Sequence, residues 1–258
     1  MRELADRLAA AGFLSTREEA EELRGAAGGD ECLLAALAER RLAGEPLAWV
    51  VGSAAFCGLR VRVEPGVYVP RPHTEELALR AAGRLPARGT AVDVCTGSGA
   101  VAAVLAARRP DATVIATDVD ERAVACARAN GVDARAGDLF APLPAELRGR
   151  VDVVTGVVPY VPAPELGSLQ RDTFAFESAL AYDGGPDGTT VLRRALAGAA
   201  AALRPGGAAL LELGGDQADL LAGDLDRLGF AVDGVLTDED GDVRGIEATL
   251  AGSRRDVR

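Results

Sequence analysis

Lysine is absent from this chain of 258 residues, and all 28 of its basic residues are arginine. Asparagine occurs once, at Asn130, histidine once, at His73, and tryptophan once, at Trp49. Each scarcity excludes something. The arginines are scattered singly or in pairs and the formal net charge is −11, so there is no basic face of the kind a nucleic-acid binder presents. No nucleic-acid partner is expected. The missing lysine reads as a compositional bias of the genome, and the acidic balance favours solubility. The four cysteines, at 32, 57, 95 and 126, form no C-x-x-C pair, and with a single histidine they exclude a Cys/His zinc site; no metal is expected. They read as reduced, small core residues. Apolar runs are cut by Gly, Pro or charge well short of the roughly 20 residues a membrane helix needs. The start, Met1-Arg2-Glu3-Leu4-Ala5-Asp6, lacks the apolar segment of a secretion signal. A cytoplasmic protein without a membrane partner is the expectation.

About half the residues are hydrophobic, enough for a large core, and their spacing changes along the chain. Residues 1–45 predict three helices. Leu4, Leu8 and Ala11 share a face, Ser15-Thr16-Arg17-Glu18 has capping-box spacing, Gly28-Gly29 is a stop, and Leu33, Leu34, Leu37 and Leu42 line the third helix. Residues 46–72 predict a connecting hairpin, with strands at Trp49-Val50-Val51 and Leu59–Val63, punctuated by Gly52, Gly58 and Pro65-Gly66. A helix from Thr74, read as its N-cap, to about Gly83 opens the remainder, 73–258. From Ala91 short apolar strands alternate with helices: strands at Ala91–Cys95, Thr113–Thr117, Val132–Ala136, Val151–Thr155 and Ala208–Leu213, helices at Ala100–Arg108, Glu121–Ala129, Val191–Leu203 and Asp219–Leu228. Two last strands, Phe230–Leu236 and Val243–Leu250, follow without a helix between them, and Ser253–Arg258 is a polar end. The pattern is that of an α/β protein with a doubly wound, mostly parallel, Rossmann-like sheet of seven strands and a small N-terminal helical domain.

The ends of three consecutive strands carry polar groups suited to a nucleotide-type ligand. After the first comes Asp93-Val94-Cys95-Thr96-Gly97-Ser98-Gly99, whose glycines let backbone approach a ligand and open a helix. The second ends in Asp118, 19 residues after Gly99, where a carboxylate can accept from ribose hydroxyls. The third is followed by Gly137-Asp138-Leu139-Phe140: Asp138 is placed to accept from an adenine amino group, Leu139 to pack on the ring. A dinucleotide site remains open, since Ala102 satisfies the looser form of G-x-G-x-x-G. Asp93, inside the strand, is positioned to receive an ammonium or to hold the loop, and with the terminal strand pair it favours a methyltransferase.

The chain resembles the HemK/PrmC family, protein-glutamine N5-methyltransferases acting on peptide chain release factors. Val69-Pro70-Arg71-Pro72-His73-Thr74-Glu75 is close to the family's I-P-R-P-D-T-E, and the cofactor loop matches D-L-G-T-G-T-G-A except for Cys95 in place of a glycine. Phe176-Glu177, Ala179-Leu180 and Asp183-Gly184-Gly185-Pro186-Asp187-Gly188 are similar to its F-E-P…A-L…G-G-x-D-G stretch. The resemblance implies a class I methyltransferase fold and S-adenosyl-L-methionine as cofactor. It implies cofactor contacts from Asp93, Cys95, Thr96, Gly97, Ser98, Gly99, Asp118, Asp138, Leu139, Arg71 and Thr74, and a helical N-terminal domain that recognises the substrate. The release factor is the implied partner if the family's function is kept.

One departure bears on chemistry. Where the family has N-P-P-Y this chain reads Val157-Val158-Pro159-Tyr160, and residues 155 and 156 are Thr and Gly, so no one-residue shift supplies the asparagine. An amide nitrogen is a poor nucleophile because its lone pair is delocalised; the family's Asn oxygen and a backbone carbonyl accept its N–H bonds and orient it. Val157 accepts nothing. By analogy with a lost oxyanion donor, the loss costs on the order of 3 kcal/mol, about 10²-fold in rate. A better nucleophile does not need the Asn, so the acceptor is open to change. Val157, Val158, Pro159 and Tyr160 are the expected substrate-binding loop. The candidate catalytic residues are Tyr160 and His73, the latter replacing an acidic residue and of the side-chain type most used as a general base. Two other readings stand: a tailoring methyltransferase acting on a small molecule or peptide in secondary metabolism, and a non-catalytic scaffold that binds the cofactor.

Overall fold

The computed structural model describes residues 2–168 and 176–252. Its element order is α1 (Arg2–Ala10), α2 (Thr16–Ala27), α3 (Glu31–Leu42), α4 (Leu47–Val51), β1 (Ser53–Phe56), β2 (Leu59–Arg62), α5 (Thr74–Arg84), β3 (Thr90–Val94), α6 (Ala100–Arg108), β4 (Thr113–Asp118), α7 (Glu121–Ala129), β5 (Asp133–Ala136), β6 (Val151–Gly156), α8 (Thr190–Ala202), β7 (Leu203–Glu212), α9 (Gln217–Leu220), α10 (Ala222–Leu228), β8 (Phe230–Thr237) and β9 (Val243–Leu250). The polar end at Ser253–Arg258 lies outside the described residues.

Leu4, Leu8, Leu23 and Leu37 bury the facing stripes of the first three helices against one another. Ala11 falls beyond α1 and is exposed, and Leu33 is turned outward on α3. Ser15 makes no side-chain cap, so the capping box is absent although the helix starts where it predicted; α2 ends at Gly28, in the left-handed region at φ +59°.

Trp49-Val50-Val51 is helical rather than extended. Short apolar runs do not reveal their period; here Pro46 precedes a single turn and Gly52, at φ +79°, ends it. That turn sends Val50 into the helical core and Trp49 towards Val63, where its indole nitrogen donates to the Val67 carbonyl at 2.8 Å. The hairpin is β1 with β2, antiparallel.

The main sheet has the order β5-β4-β3-β6-β7-β9-β8, parallel except for β9, which runs antiparallel to both neighbours. Valines and alanines of β3 and β6 are buried on both faces, as a sheet covered by helices on each side requires. The chain crosses from β3 outward to β5, then returns to β6 on the other side of β3. That reversal opens a crevice at the carboxyl ends of β3 and β6, where doubly wound sheets place ligands. Two local expectations change. Arg204–Gly207 is not a break before the fifth strand but the irregular entry to β7, whose pairing passes from Val151–Leu203 to Val153–Ala208. Residues 217–228 form two short helices rather than one. Of the cysteines only Cys126 is buried; Cys32 is exposed and Cys57 and Cys95 are half-buried.

Candidate active site

The loop after β3 is built around a buried carboxylate. Asp93 accepts from the hydroxyls of Thr96 (2.5 Å) and Thr155 (2.7 Å), which ties the loop to β6. Burial pushes its pKa up from 3.8 to about 6, against the pull of those two hydroxyls. Holding the loop is thus the role its contacts describe. Cys95 sits at φ +55°, a left-handed conformation that a glycine adopts without strain and an L side chain at about 1–2 kcal/mol. Gly97 donates its N–H to Asp118 at 2.9 Å, and Gly99, at φ +81°, begins α6 where a Cβ would lie 2.8 Å from that of Ala127. Asn130 stands at the C-cap of α7 and also clamps the site: its side chain exchanges hydrogen bonds with the backbone of Arg62 and donates to the Ser98 carbonyl at 2.8 Å.

Cys95, Gly97, Asp118, Asp138 and Leu139 line one cavity of about 560 Å³, the size of a small-ligand pocket. Asp118 also accepts from the Asp120 N–H at 2.9 Å, and burial raises its pKa. Asp138 is exposed and ion-paired with Arg194, a cavity residue the sequence did not single out. Thr96 and Ser98, with Asp93 and Thr74, line a small adjoining recess.

A second cavity, of about 500 Å³, adjoins the first through the shared Tyr68, Val157 and Ala181 and contains Arg71, His73, Val158 and Tyr160. Val157 and Tyr68 line both large cavities and the recess; Pro159 faces only the first. Arg71 lines this second cavity and not the one bordered by Cys95 and Gly97, donating to Glu177 (2.6 Å) and Tyr182 (2.9 Å). Glu177 also accepts from the Val69 N–H at 2.8 Å, which fastens the segment from Phe176 to the Pro-Arg-Pro stretch. Thr74 is not the N-cap of α5. His73 holds that position, and the Thr74 hydroxyl instead donates to Glu212 at 2.6 Å. The same carboxylate meets His73 Nε2 at 3.2 Å and accepts from the Tyr160 hydroxyl at 3.0 Å. Burial and the Glu212 charge push the Tyr160 pKa up, so this hydroxyl stays a donor. Tyr68, Glu177, Tyr182 and Glu212 went unassigned in the sequence. Glu212 left one signal, a carboxylate inside the apolar run Ala208–Leu213.

This donor set suits S-adenosylmethionine: a glycine cradle in which a Cβ at position 99 would collide with α7, a carboxylate at the end of β4, and a pocket of nucleoside size. Fold and site together define a class I S-adenosylmethionine-dependent methyltransferase. Residues 74–141 match the family model described as the methyltransferase small domain. A ribosomal protein L11 methylase from Lactobacillus delbrueckii subsp. bulgaricus shares the fold, with TM-score 0.53 and 17% identity over 74% of this chain and 86% of that one. The chain is 36% identical to a release factor glutamine methyltransferase of Geobacter sulfurreducens, over 75% of its own length and 69% of the relative's. It is 38% identical to one of Cereibacter sphaeroides, over 85% and 78%. The chain belongs to the release factor glutamine methyltransferase family, HemK/PrmC. No helix among the described residues is long and apolar enough to cross a membrane.

Proposed function

We propose that this methyltransferase modifies an amino or hydroxyl group, presented in the second cavity, in preference to the side-chain amide of glutamine. The observation behind this reading is Val157, an apolar side chain at the junction of both cavities. It lies between the glycine loop and the acceptor-side tyrosines, where an amide would need an acceptor for its N–H bonds. When bound, S-adenosylmethionine supplies an electrophilic methyl group. Asp118, Leu139 and the loop from Asp93 to Gly99 hold it, with Asp138 available if Arg194 yields. Thr74 borders the recess beside the loop, and Arg71 shapes the acceptor side through Glu177. Positioning the acceptor is the remaining requirement. The second cavity provides it through the wall of Tyr68, Tyr160 and Tyr182. We assign the helical unit, residues 1–45, and the hairpin region, 46–72, to acceptor recognition. Phe176 packs edge-on against Trp49, rings 6.3 Å apart, and so couples that unit to the cavity wall.

The second reading is methylation of a release factor at glutamine, which the names of the relatives favour. Labelled S-adenosylmethionine and a release factor carrying its Gly-Gly-Gln loop separate the two. The wild-type chain is expected to label glutamine slowly and Val157→Asn to do so about 10²-fold faster. Rapid glutamine labelling by the wild type, unimproved by the asparagine, refutes the changed acceptor.

A further inference from the structure

An amino or hydroxyl acceptor must lose a proton on methylation, and the described residues of the second cavity offer few groups to take it. Arg71 and Arg244 are guanidiniums with no acceptor capacity, held by Glu177 and by Asp238 respectively. The hydroxyls of Tyr160 and Tyr182 donate to Glu212 and Glu177. Burial pushes Tyr68 up to about 12, so it too stays protonated near neutral pH. His73 remains.

Its environment selects a tautomer. The Glu212 side chain is 1% exposed and receives the Thr74 and Tyr160 hydroxyls. An ionised carboxylate only accepts, so the His73 nitrogen 3.2 Å away, Nε2, carries the hydrogen and Nδ1 keeps its lone pair. Among the described residues nothing hydrogen-bonds to Nδ1. The imidazole is 29% exposed, which leaves a path for the proton to water.

We propose that His73, oriented by Glu212, is the general base of this enzyme, and that its acceptor is an amine or hydroxyl still carrying a hydrogen on the attacked atom. This rests on the acceptor reading given above. The acceptor's lone pair forms a bond to the methyl carbon, the carbon–sulfur bond breaks with its electron pair staying on sulfur, and the acceptor's proton passes to Nδ1. The imidazolium so formed is stabilised by Glu212 and returns its proton to solvent.

His73 is the only histidine in the chain, so tag-free protein labelled with ¹⁵N-histidine reports a single imidazole. Nuclear magnetic resonance is expected to show the neutral ring protonated at Nε2 and bare at Nδ1, a preference that Glu212→Gln abolishes. A ring protonated at Nδ1 overturns the proposal whatever the activity. Turnover is read on three peptides, Gly-Gly-Gln, Gly-Gly-Lys and Gly-Gly-Ser, with labelled S-adenosylmethionine. On a peptide that is labelled, His73→Ala lowers kcat about 10²–10⁴-fold without changing KM for the cofactor, and added imidazole restores part of the loss. His73→Gln, which can still donate to Glu212 but takes no proton, is expected to fold as the wild type does and to be as slow as His73→Ala. A loss under about threefold in both variants overturns the assignment. Labelling of Gly-Gly-Gln alone sinks the acceptor reading and with it the substrate class stated here, while the ring tautomer still decides whether Glu212 orients His73.

Discussion

Gly99 is the position where loop conformation and helix packing coincide, and Gly99→Ala tests both. The backbone there is left-handed at φ +81°, and an added Cβ would stand 2.8 Å from the Ala127 Cβ, 3.1 Å from the Ala127 Cα and 3.3 Å from a Val132 methyl. Methyl contacts settle near 3.5–4.0 Å, so α6 and α7 must separate by several tenths of an ångström. The left-handed conformation costs an L residue about 1–2 kcal/mol. Overpacking adds roughly 1–3 kcal/mol, and the stiffer unfolded chain returns about 0.4–1 kcal/mol. The net is a destabilisation of about 2–4 kcal/mol. Gly97→Ala separates the two causes, because φ there is +56° but the nearest atom to an added Cβ is 3.7 Å away. Strain alone, less the unfolded-state gain, makes that change cost only about 0.5–1 kcal/mol. Urea unfolding without ligand, followed by circular dichroism, should place the Gly99→Ala midpoint well below that of Gly97→Ala at an unchanged denaturant slope. Equal midpoints would refute the packing argument.

Two further outcomes follow from buried charge. The Asp93 pKa is raised on folding from 3.8 to about 6, so its share of stability is present below pH 4 and lost as pH rises through 6. Asp93→Asn removes that dependence. Relative to the wild type the variant should gain about 2 kcal/mol between pH 4.5 and 7.5, and a stability difference that does not vary with pH counts against the desolvated carboxylate. Glu177→Ala strips Arg71 of its partner and the Val69 N–H of its acceptor; with Arg71 partly open to water, a loss of roughly 2–4 kcal/mol is expected in thermal unfolding. Arg71→Met in the same background should recover part of it, and no recovery would mean that the unpaired charge is not the cause.

Local pattern determined much of this protein. Apolar runs of strand length, the helices between them and the paired glycines after β3 depend on residues within a few positions of one another. Asp118 and Leu139 were legible for the same reason, each standing at a strand end whose period could be read. The resemblance of the Pro-Arg-Pro stretch and of Pro159-Tyr160 to a known family was likewise a matter of short motifs, and the identity of the relatives agrees with it. Val157 was visible as a missing amide.

Tertiary structure alone decided what those motifs touch. Trp49 and Val50 became helical because two separate cores demanded their side chains, a choice that a five-residue apolar run does not encode. Arg71 went to the second cavity because Glu177, 106 positions away, waits there. Thr74 gave up the helix cap for Glu212, 138 positions distant. A buried carboxylate must gather donors from wherever the chain brings them, since leaving it unpaired costs more than any local preference of the donors. Sequence therefore determined the strands, the helices between them and the glycine turn after β3, through preferences of near neighbours. The lining of the second cavity, and the orientation of His73, came from pairings that exist only once β7 lies beside β6 and α5 packs against both.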